Sequence, residues 1–416
     1  MRPVLMLFVG TRGVRIADLV DSLTVDADVV VAISDDHVAA RADTLDAVAG
    51  VCEVLRAPTS TDLCARALVH PPRLDGVLAF SDDVLAVAAS VAAARGLPGQ
   101  PLESLDAFRD KYRQRCLLAA AGLPVPPFYE ITDPQQAEEA LAAVPLPAYL
   151  KPTRGSGSSL VHLIDVPEQL APRLREGFAA VGHAGGAVAA DTAFILEGRL
   201  VGQAWHEVDG FAPYVSVESA AVDGRYTHLA VTDRFPLAQP ALETGMLLPS
   251  GLVERDRKQV VDAADAALRA LDFRHGLAHV ELMLTADGPV VIEANARAGG
   301  AMPYLFPLAG GPDLVRLAGE VALGNLPRET PAFPRYAVFV APQHPVGVRV
   351  ECVTGLDAAA AVPGVRAVIP LSAEPGRTDH FQRTMIAAVL GTADSPASAV
   401  ALWRQVQSAV RAEYAS

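Results

Sequence analysis

Short apolar runs alternate with helix-like segments through the first 105 residues of the chain. The runs PVLMLFV, DVVVAIS and DGVLAFS each end in small or polar residues, and helical stretches such as DVLAVAASVAAARG lie between them. Strands that alternate with helices in this way favour a parallel α/β layer. We therefore predict an N-terminal α/β domain over residues 1–105, with a boundary at the Pro- and Gly-rich stretch GLPGQPLESL.

The pattern changes after this boundary. The segment DAFRDKYRQRCLLAAAG predicts one amphipathic helix that ends at Gly122, and residues 145–165 alternate as strand, glycine-serine loop and strand. The segment ERDRKQVVDAADAALRALDF predicts a long helix, and HGLAHVELMLTADGPVVIEANARAGG predicts a hairpin around the turn ADG. A last α/β segment is predicted over residues 331–416.

Composition narrows the class of protein. The chain has 416 residues, 51% hydrophobic and 20% charged, which is enough for roughly two to four folded domains. A formal charge of −14 without a Lys/Arg run argues against nucleic acid and membrane as partners. The four scattered cysteines suggest neither a zinc site nor a disulfide framework. The apolar run Val4–Val9 is too short for a secretory signal, so we expect a buried first strand and a cytoplasmic protein.

Lysine is so rare in this chain that its positions are informative. Only Lys111, Lys151 and Lys258 occur, and the other 31 of the 34 basic residues are arginines. A position that keeps lysine favours a compact ammonium over a planar guanidinium. Lys151 precedes the loop RGSGSS, whose backbone N–H and hydroxyl groups could approach a phosphate closely. A solvated surface lysine and a flexible turn are the alternatives.

The predicted hairpin carries the sharpest chemical signal. Period-two geometry gives each strand one shared face, which holds His279, Glu281 and Met283 on the first strand and Val291, Glu293, Asn295 and Arg297 on the second. A tight turn would bring Glu281 and Glu293 close together. Two carboxylates and an amide oxygen suit magnesium, which prefers hard oxygen ligands. The alternative is a half-solvated hairpin with ordinary outward-facing acids.

In order and spacing, these features resemble the ATP-grasp superfamily of carboxylate–amine ligases over about residues 75 to 325. The segments that resemble family motifs are DKYRQRCLLAAAGLPVP, YLKPTRGSGSS, FILEGRLVG, HVELM and VIEANARAGG. The stretch TDRFPLAQPALETGMLLPSGL resembles the subgroup that includes bacterial L-amino acid ligases, which make dipeptides. Each motif is short, but the ordered set is specific.

The resemblance implies an ATP-grasp fold, α/β as a whole and α+β in its catalytic part. Residues 1–105 would be a Rossmann-like pre-ATP-grasp domain, and 106–195 a lid subdomain that carries the glycine-rich loop. Residues 196–330 would bind nucleotide and magnesium, and residues 331–416 would form a C-terminal α/β closing subdomain. Relatives of this kind are often dimers, so the resemblance also allows a homodimer.

The resemblance assigns roles to particular residues, with ATP and magnesium (or manganese in its place) as the implied ligands. The residues expected around the nucleotide are Lys111 and Lys151 at the phosphates, Ser156, Gly157 and Ser158 as a lid over them, and Glu197 and the backbone near Leu200 at the adenine edge. The residues expected around the metal are Glu281, Glu293 and Asn295, with Arg297 stabilising the transferred phosphoryl group or the acyl phosphate.

Two further acids match the family pattern only in part. Many relatives place an acid for the ribose hydroxyls where this chain has Ala204, so Glu207 is the only nearby candidate. Glu243, in the motif Glu-x-Gly, is expected near the substrate, at its ammonium group. A plain loop acid is the alternative for Glu243.

The implied reaction joins a carboxylate to an amine, both amino-acid-like small molecules. ATP would activate the acid as an acyl phosphate, and the amine would attack it to give an amide, ADP and phosphate. An ATP-dependent carboxylase that uses bicarbonate and a non-catalytic nucleotide-binding protein are the competing functions. The combination of Glu281, Glu293, Asn295 and Arg297 argues against a mere binder, which needs no complete phosphoryl-transfer site.

Overall fold

The computed structural model describes the chain except for residues 12, 39–44, 46, 156–159, 182–191, 239–241, 346–347, 349, 372–383 and 415–416. The described residues form three larger sheets and one two-stranded ribbon. In this part of the chain, no helix is both long and apolar enough to cross a membrane.

The N-terminal region is the parallel α/β layer that its apolar runs predict. Its strands are β1 (Val4–Phe8), β2 (Asp28–Ser34), β3 (Glu53–Ala57) and β4 (Gly76–Ala79). Its helices are α1 (Ile16–Leu23), α2 (Asp35–Val38), α3 (Ser60–Ala67) and α4 (Leu85–Arg95). The strands pair in the order β3-β2-β1-β4 among the described residues. Both faces of β1 are buried, which explains why this strand is apolar at successive positions.

A pair of helices leads from this layer into a second sheet. They are α5 (Leu102–Arg109) and α6 (Lys111–Ala120), where the sequence predicts a single helix. The helix is interrupted because Asp110 adopts an extended conformation and its carboxylate accepts a hydrogen bond from the Arg113 N–H. Lys111 is therefore the first residue of α6.

The second sheet is antiparallel and carries the strand that contains Lys151. Its strands are β5 (Phe128–Ile131), β6 (Ala148–Pro152), β7 (His162–Ile164) and β8 (Phe194–Gly198). The helices beside it are α7 (Ala137–Ala143) and α8 (Leu170–Ala180). The order β5-β8-β6-β7 places β8 directly beside β6, with Lys151 opposite Ile195. Strand β8 is called the hinge strand here, because it leads to the residues expected at the adenine edge.

The third sheet is the largest and continues to the C-terminal region. Its strands are β9 (Tyr214–Val222), β10 (Arg225–Arg234), β11 (Gly245–Leu248), β12 (Gly276–Thr285), β13 (Gly288–Asn295), β14 (Tyr336–Val340), β16 (Val365–Pro370) and β17 (Ala387–Ala393). A short ribbon pairs β15 (Val350–Thr354) with β18 (Arg411–Tyr414). The helices are α9 (Glu254–Ala270), α10 (Met302–Leu308), α11 (Leu314–Ala322), α12 (Leu356–Ala360) and α13 (Pro396–Ala409).

The two sides of this central sheet differ near its β13 edge. The strand order is β13-β12-β9-β10-β11-β14-β17-β16 among the described residues. Helix α9 covers one side, where Val260 and Leu268 pack with Val217, Val280 and Leu282 in a buried apolar cluster. The next residues along the strands point to the other side, which is rich in charged groups. That charged side holds the candidate site.

Apolar contacts join the N-terminal sheet to the central sheet, and strand pairing joins the central sheet to the C-terminal region. One buried cluster contains Leu5 and Val31 of the N-terminal sheet together with Met302, Val315 and Met246 of the central region. Strand β14 pairs with β11, so residues after 331 extend the central sheet. The proposed boundaries at 105, 195 and 330 remain predictions.

Candidate active site

The two carboxylates of the hairpin face each other across β12 and β13. Glu281 is the direct partner of Glu293, and His279 is the partner of Asn295. Their side chains are 23% and 27% exposed for Glu281 and Glu293, so both reach a partly open surface. The predicted approach of these two acids is thus present in the structure.

One residue of the hairpin differs from the period-two prediction. The register shifts so that Leu282 pairs with Val291, which leaves Ile292 as an extra residue in β13. This β-bulge turns Val291 into the apolar core instead of onto the face of Glu293. Glu293 and Asn295 keep the predicted face because they lie beyond the bulge.

Lys111 joins the hairpin to the start of the glycine-rich loop. Its Nζ lies 3.0 Å from Oε1 of Glu293 and donates a hydrogen bond of 3.0 Å to the Gly155 carbonyl. The ammonium therefore sits between one predicted metal ligand and the second residue of the loop RGSGSS. Ser156, Gly157 and Ser158, the predicted phosphate lid, lie outside the described residues.

Lys151 is held beside the hinge strand by a buried acid. Its Nζ lies 3.2 Å from Oε2 of Glu197, whose other oxygen accepts hydrogen bonds of 2.9 and 2.8 Å from Nε and Nη2 of Arg115. Burial by itself raises the pKa of the Glu197 carboxyl, but the charges of Lys151 and Arg115 outweigh burial and lower it. Glu197 is therefore a carboxylate bound between two cations.

Arg115 is a site residue that the sequence analysis missed. Its guanidinium is 1% exposed and also donates to the carbonyl of Ile292 at the bulge. It thereby links the hinge strand to the strand that carries Glu293. Its position four residues after Lys111, on the same face of a helix, was the available signal.

The predicted residues after the hinge strand lie in an irregular segment. Leu200 is half-buried, and Glu207 is exposed. Among the described residues, the Glu207 carboxylate forms no ion pair with the charged face. Their roles at the adenine and the ribose, and that of Glu197 at the adenine, remain predictions.

Arg297 lies directly beyond β13 and is oriented by an acid from the N-terminal domain. Its Nε and Nη2 both lie 2.8 Å from Oδ2 of Asp82, and Nη1 donates a hydrogen bond of 3.2 Å to the Ala298 carbonyl. Burial by itself lowers the pKa of the guanidinium. The charges of Asp82, Glu293 and Glu281 outweigh burial and raise the pKa above its ordinary value. Asp82 was not predicted from the sequence.

Behind Glu281 lies a buried network of alternating charges. His279 contacts Glu218 through Nδ1 and lies 3.2 Å from Oε1 of Glu281 through Nε2. Burial disfavours the charged imidazole, but Glu218 and Glu281 raise the pKa of His279 to about 9. Burial likewise raises the pKa of Glu281, but His279 and Arg234 lower it to about 2. Glu281 is therefore ionised at neutral pH.

The same network reaches Glu243. Arg234, which is 1% exposed, lies 2.8 Å from Oε1 of Glu243 and 3.8 Å from Oε1 of Glu281. The hydroxyl of Tyr214 also donates to Glu243, over 3.3 Å. Glu243 is thus connected to the hairpin acids through one buried arginine. Neither Arg234 nor Glu218 was singled out from the sequence, because their partners come from other strands.

The donor set of this face fits a hard divalent cation. In the residues the structure describes, no three His, Cys, Asp or Glu side chains form a metal-holding group. Glu281, Glu293 and the amide of Asn295 instead offer a small set of oxygens, which suits an ion that also binds water and substrate phosphates. The cations nearby, Lys111 and Arg297, are placed to accompany an anionic ligand.

Parts of the chain are similar in sequence to known proteins. Residues 144–303 match the sequence profile of the ATP-grasp domain family. The chain is 30% identical to carnosine synthase 1 of Mus musculus over 279 residues, which cover 63% of this chain and 32% of that protein. It is 29% identical to the alanine–anticapsin ligase of Bacillus subtilis strain 168 over 211 residues, which cover 49% of this chain and 44% of the ligase. The chain thus spans less than half the length of these two curated relatives.

A solved structure matches the fold over the whole chain. The L-amino acid ligase from Bacillus licheniformis superimposes with a TM-score of 0.80 at 20% identity, covering 100% of this chain and 99% of that one. Its coverage includes the N-terminal parallel sheet as well as the charged face of the central sheet. The chain therefore contains an ATP-grasp domain and has the ATP-grasp fold, with its N-terminal sheet in the place of the pre-ATP-grasp domain.

Proposed function

We propose that this protein is an ATP-dependent carboxylate–amine ligase that forms an amide bond between amino-acid-like substrates and releases ADP and phosphate. One observation carries the proposal above the others. Glu281 and Glu293 face each other on one sheet surface, with the Lys111 ammonium 3.0 Å from Glu293 and with Arg297 two residues beyond the end of β13. A surface with paired acids and converging cations suits phosphoryl transfer, in which electrostatic stabilisation supplies most of the rate enhancement.

The nucleotide phosphates would replace existing partners of the two lysines. Lys111 is paired with Glu293 and Lys151 with Glu197, so each ammonium is already held near the proposed phosphate position. Arg115 keeps the charge of Glu197 compensated when Lys151 turns to a phosphate. Glu281, Glu293 and Asn295 would hold magnesium, which, when bound, neutralises phosphate oxygens.

The proposed reaction has two chemical steps. A carboxylate oxygen of the acid substrate attacks the γ-phosphorus, the bond to the bridging oxygen breaks, and ADP leaves. The amine then attacks the carbonyl carbon of the acyl phosphate. The tetrahedral intermediate loses phosphate, and the amine releases a proton to give the amide. Arg297 would stabilise the negative charge on the transferred phosphoryl group through its N–H donors.

Amino acids or short peptides are the substrate class we favour. The names of the relatives, alanine–anticapsin ligase, carnosine synthase and L-amino acid ligase, support this choice. Glu243 is the proposed contact for a substrate ammonium, because it is partly exposed and connected to the hairpin acids through Arg234. Its carboxylate would provide a charge-assisted hydrogen bond to that group.

The test is ADP and phosphate release from ATP and magnesium across a matrix of single amino acids and amino-acid pairs. We expect release that requires one acid–amine pair, with a product mass equal to the sum of the two minus water. Lys151→Ala should lower this turnover strongly. Lys258→Ala is the matched control, because Lys258 lies on the surface in an exposed pair with Asp262.

Two results would contradict the ligase. Release that requires only bicarbonate would indicate a carboxylase. Tight ATP binding without release of ADP and phosphate for any combination of substrates would indicate a nucleotide-binding protein without this activity.

A further inference from the structure

The ion pair between Asp82 and Arg297 connects two distant parts of the chain. Asp82 follows β4 at the carboxyl end of the N-terminal parallel sheet, and Arg297 follows β13 of the central sheet. The two residues are 215 positions apart, yet Oδ2 of Asp82 accepts a hydrogen bond of 2.8 Å from Nε of the guanidinium and lies 2.8 Å from Nη2. Their side chains are 29% and 18% exposed, so water competes weakly for this contact.

These contacts leave part of the Arg297 guanidinium unused. A guanidinium has five N–H bonds. Nε uses its N–H on Asp82, Nη2 lies in ion-pair contact with the same oxygen, and Nη1 uses one N–H on the Ala298 carbonyl. Among the described contacts, one N–H on each terminal nitrogen therefore remains for a substrate oxygen. Such a pair matches the two oxygens of a phosphoryl or carboxylate group.

Three acids act on the charge of Arg297, and one of them contacts it directly. Asp82, Glu293 and Glu281 all raise the pKa of the guanidinium. Among the described contacts, Asp82 is the acid that accepts a hydrogen bond from it. Asp82 therefore has the most direct influence of the three on the orientation of the guanidinium.

The loop that carries Asp82 is itself held firmly. The neighbouring Asp83 accepts hydrogen bonds of 2.8 and 2.9 Å from the backbone and hydroxyl of Thr11, which follows β1. Gly10 permits this approach, because a Cβ there would lie 1.9 Å from Oδ1 of Asp83. The position of Asp82 is therefore set by the end of the parallel sheet rather than by a free loop.

We propose that Asp82 is a positioning residue, which holds the Arg297 guanidinium in the orientation that the transferred phosphoryl group requires. This inference rests on the proposed ligase function. The N-terminal domain then takes part in the reaction through one ion pair, without itself contacting the transferred group. Misplacement of a catalytic group by about 1 Å can lower a rate by about 100-fold.

The kinetic test measures kcat and the KM for ATP of three variants, with the pair of substrates from which the wild-type protein makes product. Asp82→Asn keeps the shape and removes the charge, and we expect kcat to fall by roughly 10- to 100-fold with the KM for ATP nearly unchanged. Asp82→Glu keeps the charge but adds one methylene, so its kcat should lie between those of Asp82→Asn and the wild type. The matched control is Asp26→Asn, which removes an exposed ion pair to Arg316 across the same two parts of the chain. That control should keep wild-type kcat.

A second readout does not depend on turnover. The Nε–H signal of Arg297, assigned by its loss in Arg297→Lys, should exchange slowly with water in the wild-type protein measured by NMR. Asp82→Asn should speed this exchange and shift the signal, whereas Asp26→Asn should leave it unchanged.

The outcomes separate the two proposals. Unchanged kcat in Asp82→Asn, or an equal fall in Asp26→Asn, overturns the positioning role. An unchanged Arg297 signal in Asp82→Asn overturns it as well. If the wild-type protein makes no product from any pair, the ligase proposal fails, and the NMR comparison still decides whether Asp82 orients Arg297.

Discussion

The two faces of the central sheet are built from the same strands but have opposite chemistry. Under α9, Val280 and Leu282 of β12 are fully buried in an apolar cluster. The alternate residues His279 and Glu281 lie on the charged face. Because successive side chains of a strand point to opposite sides, one hairpin both anchors the core and presents the site. Stability and chemistry can therefore be altered separately in this hairpin, by substitutions at adjacent residues.

The largest effect should come from the charged face. Glu293→Ala removes a proposed metal ligand and the partner of Lys111, so we expect ATP turnover to fall by about 100- to 1,000-fold or more. The circular dichroism spectrum should stay that of the wild type, since Glu293 is partly exposed. Glu254→Ala, at an exposed position, is the control. Unchanged turnover in Glu293→Ala would remove the metal assignment.

A substitution at Arg115 shows whether a residue on the charged face can also contribute to stability. It lies on the charged side but is buried, and Arg115→Ala leaves the Glu197 charge with one cation. We expect the free energy of unfolding to fall by about 3–5 kcal/mol, as for other broken buried ion pairs. Urea unfolding measures this loss. Arg257→Ala, which breaks an exposed pair with Glu254, should cost at most about 1 kcal/mol. If the free energy of unfolding fell equally in Arg115→Ala and Arg257→Ala, Arg115 would not stabilise the fold as a buried ion pair.

The apolar face should respond in stability without a change in chemistry. Leu268→Ala on α9 creates a cavity in the cluster under β12, and the free energy of unfolding should fall by about 2–5 kcal/mol. At a temperature where the variant remains folded, kcat should equal that of the wild type. Leu102→Ala, at an exposed position, should change neither quantity. A large fall in kcat for Leu268→Ala would show that the two faces are coupled.

The smallest effect concerns acid stability. The pKa of Glu197 is lower in the folded protein than its ordinary value of 4.5, so its ion pairs stabilise the fold fully above that value. This contribution is lost as the pH falls below 4.5 through the folded-state pKa. We therefore expect the unfolding free energy of the wild type to decrease more steeply between pH 5 and pH 3 than that of Glu197→Gln. Urea unfolding at several pH values measures both slopes, and equal slopes would exclude this role of Glu197.

Local pattern was sufficient for a substantial part of the site. The turn ADG and the flanking alternation predicted that Glu281 and Glu293 approach each other, because a short hairpin leaves little freedom in register. The position of Val291 was predicted wrongly, because a bulge adds one residue and reverses the alternation before it. Asp110 likewise interrupts a helix that the apolar period predicts as continuous. Both differences depend on single residues whose conformation the average pattern does not determine.

Periodicity and chain order alone predict the parallel N-terminal layer, the succession along the chain of the strands that carry Lys151 and the hairpin acids, and the face those acids share. Both signals act over a few residues. The contacts of Arg115 with Glu197 across 82 residues and of Asp82 with Arg297 across 215 exist only in the folded chain. Pairing of buried charges depends on which surfaces pack together, and local pattern does not specify that packing. For Asp82 and Arg297, an apolar cluster shared by the N-terminal and central sheets brings the two parts of the chain together.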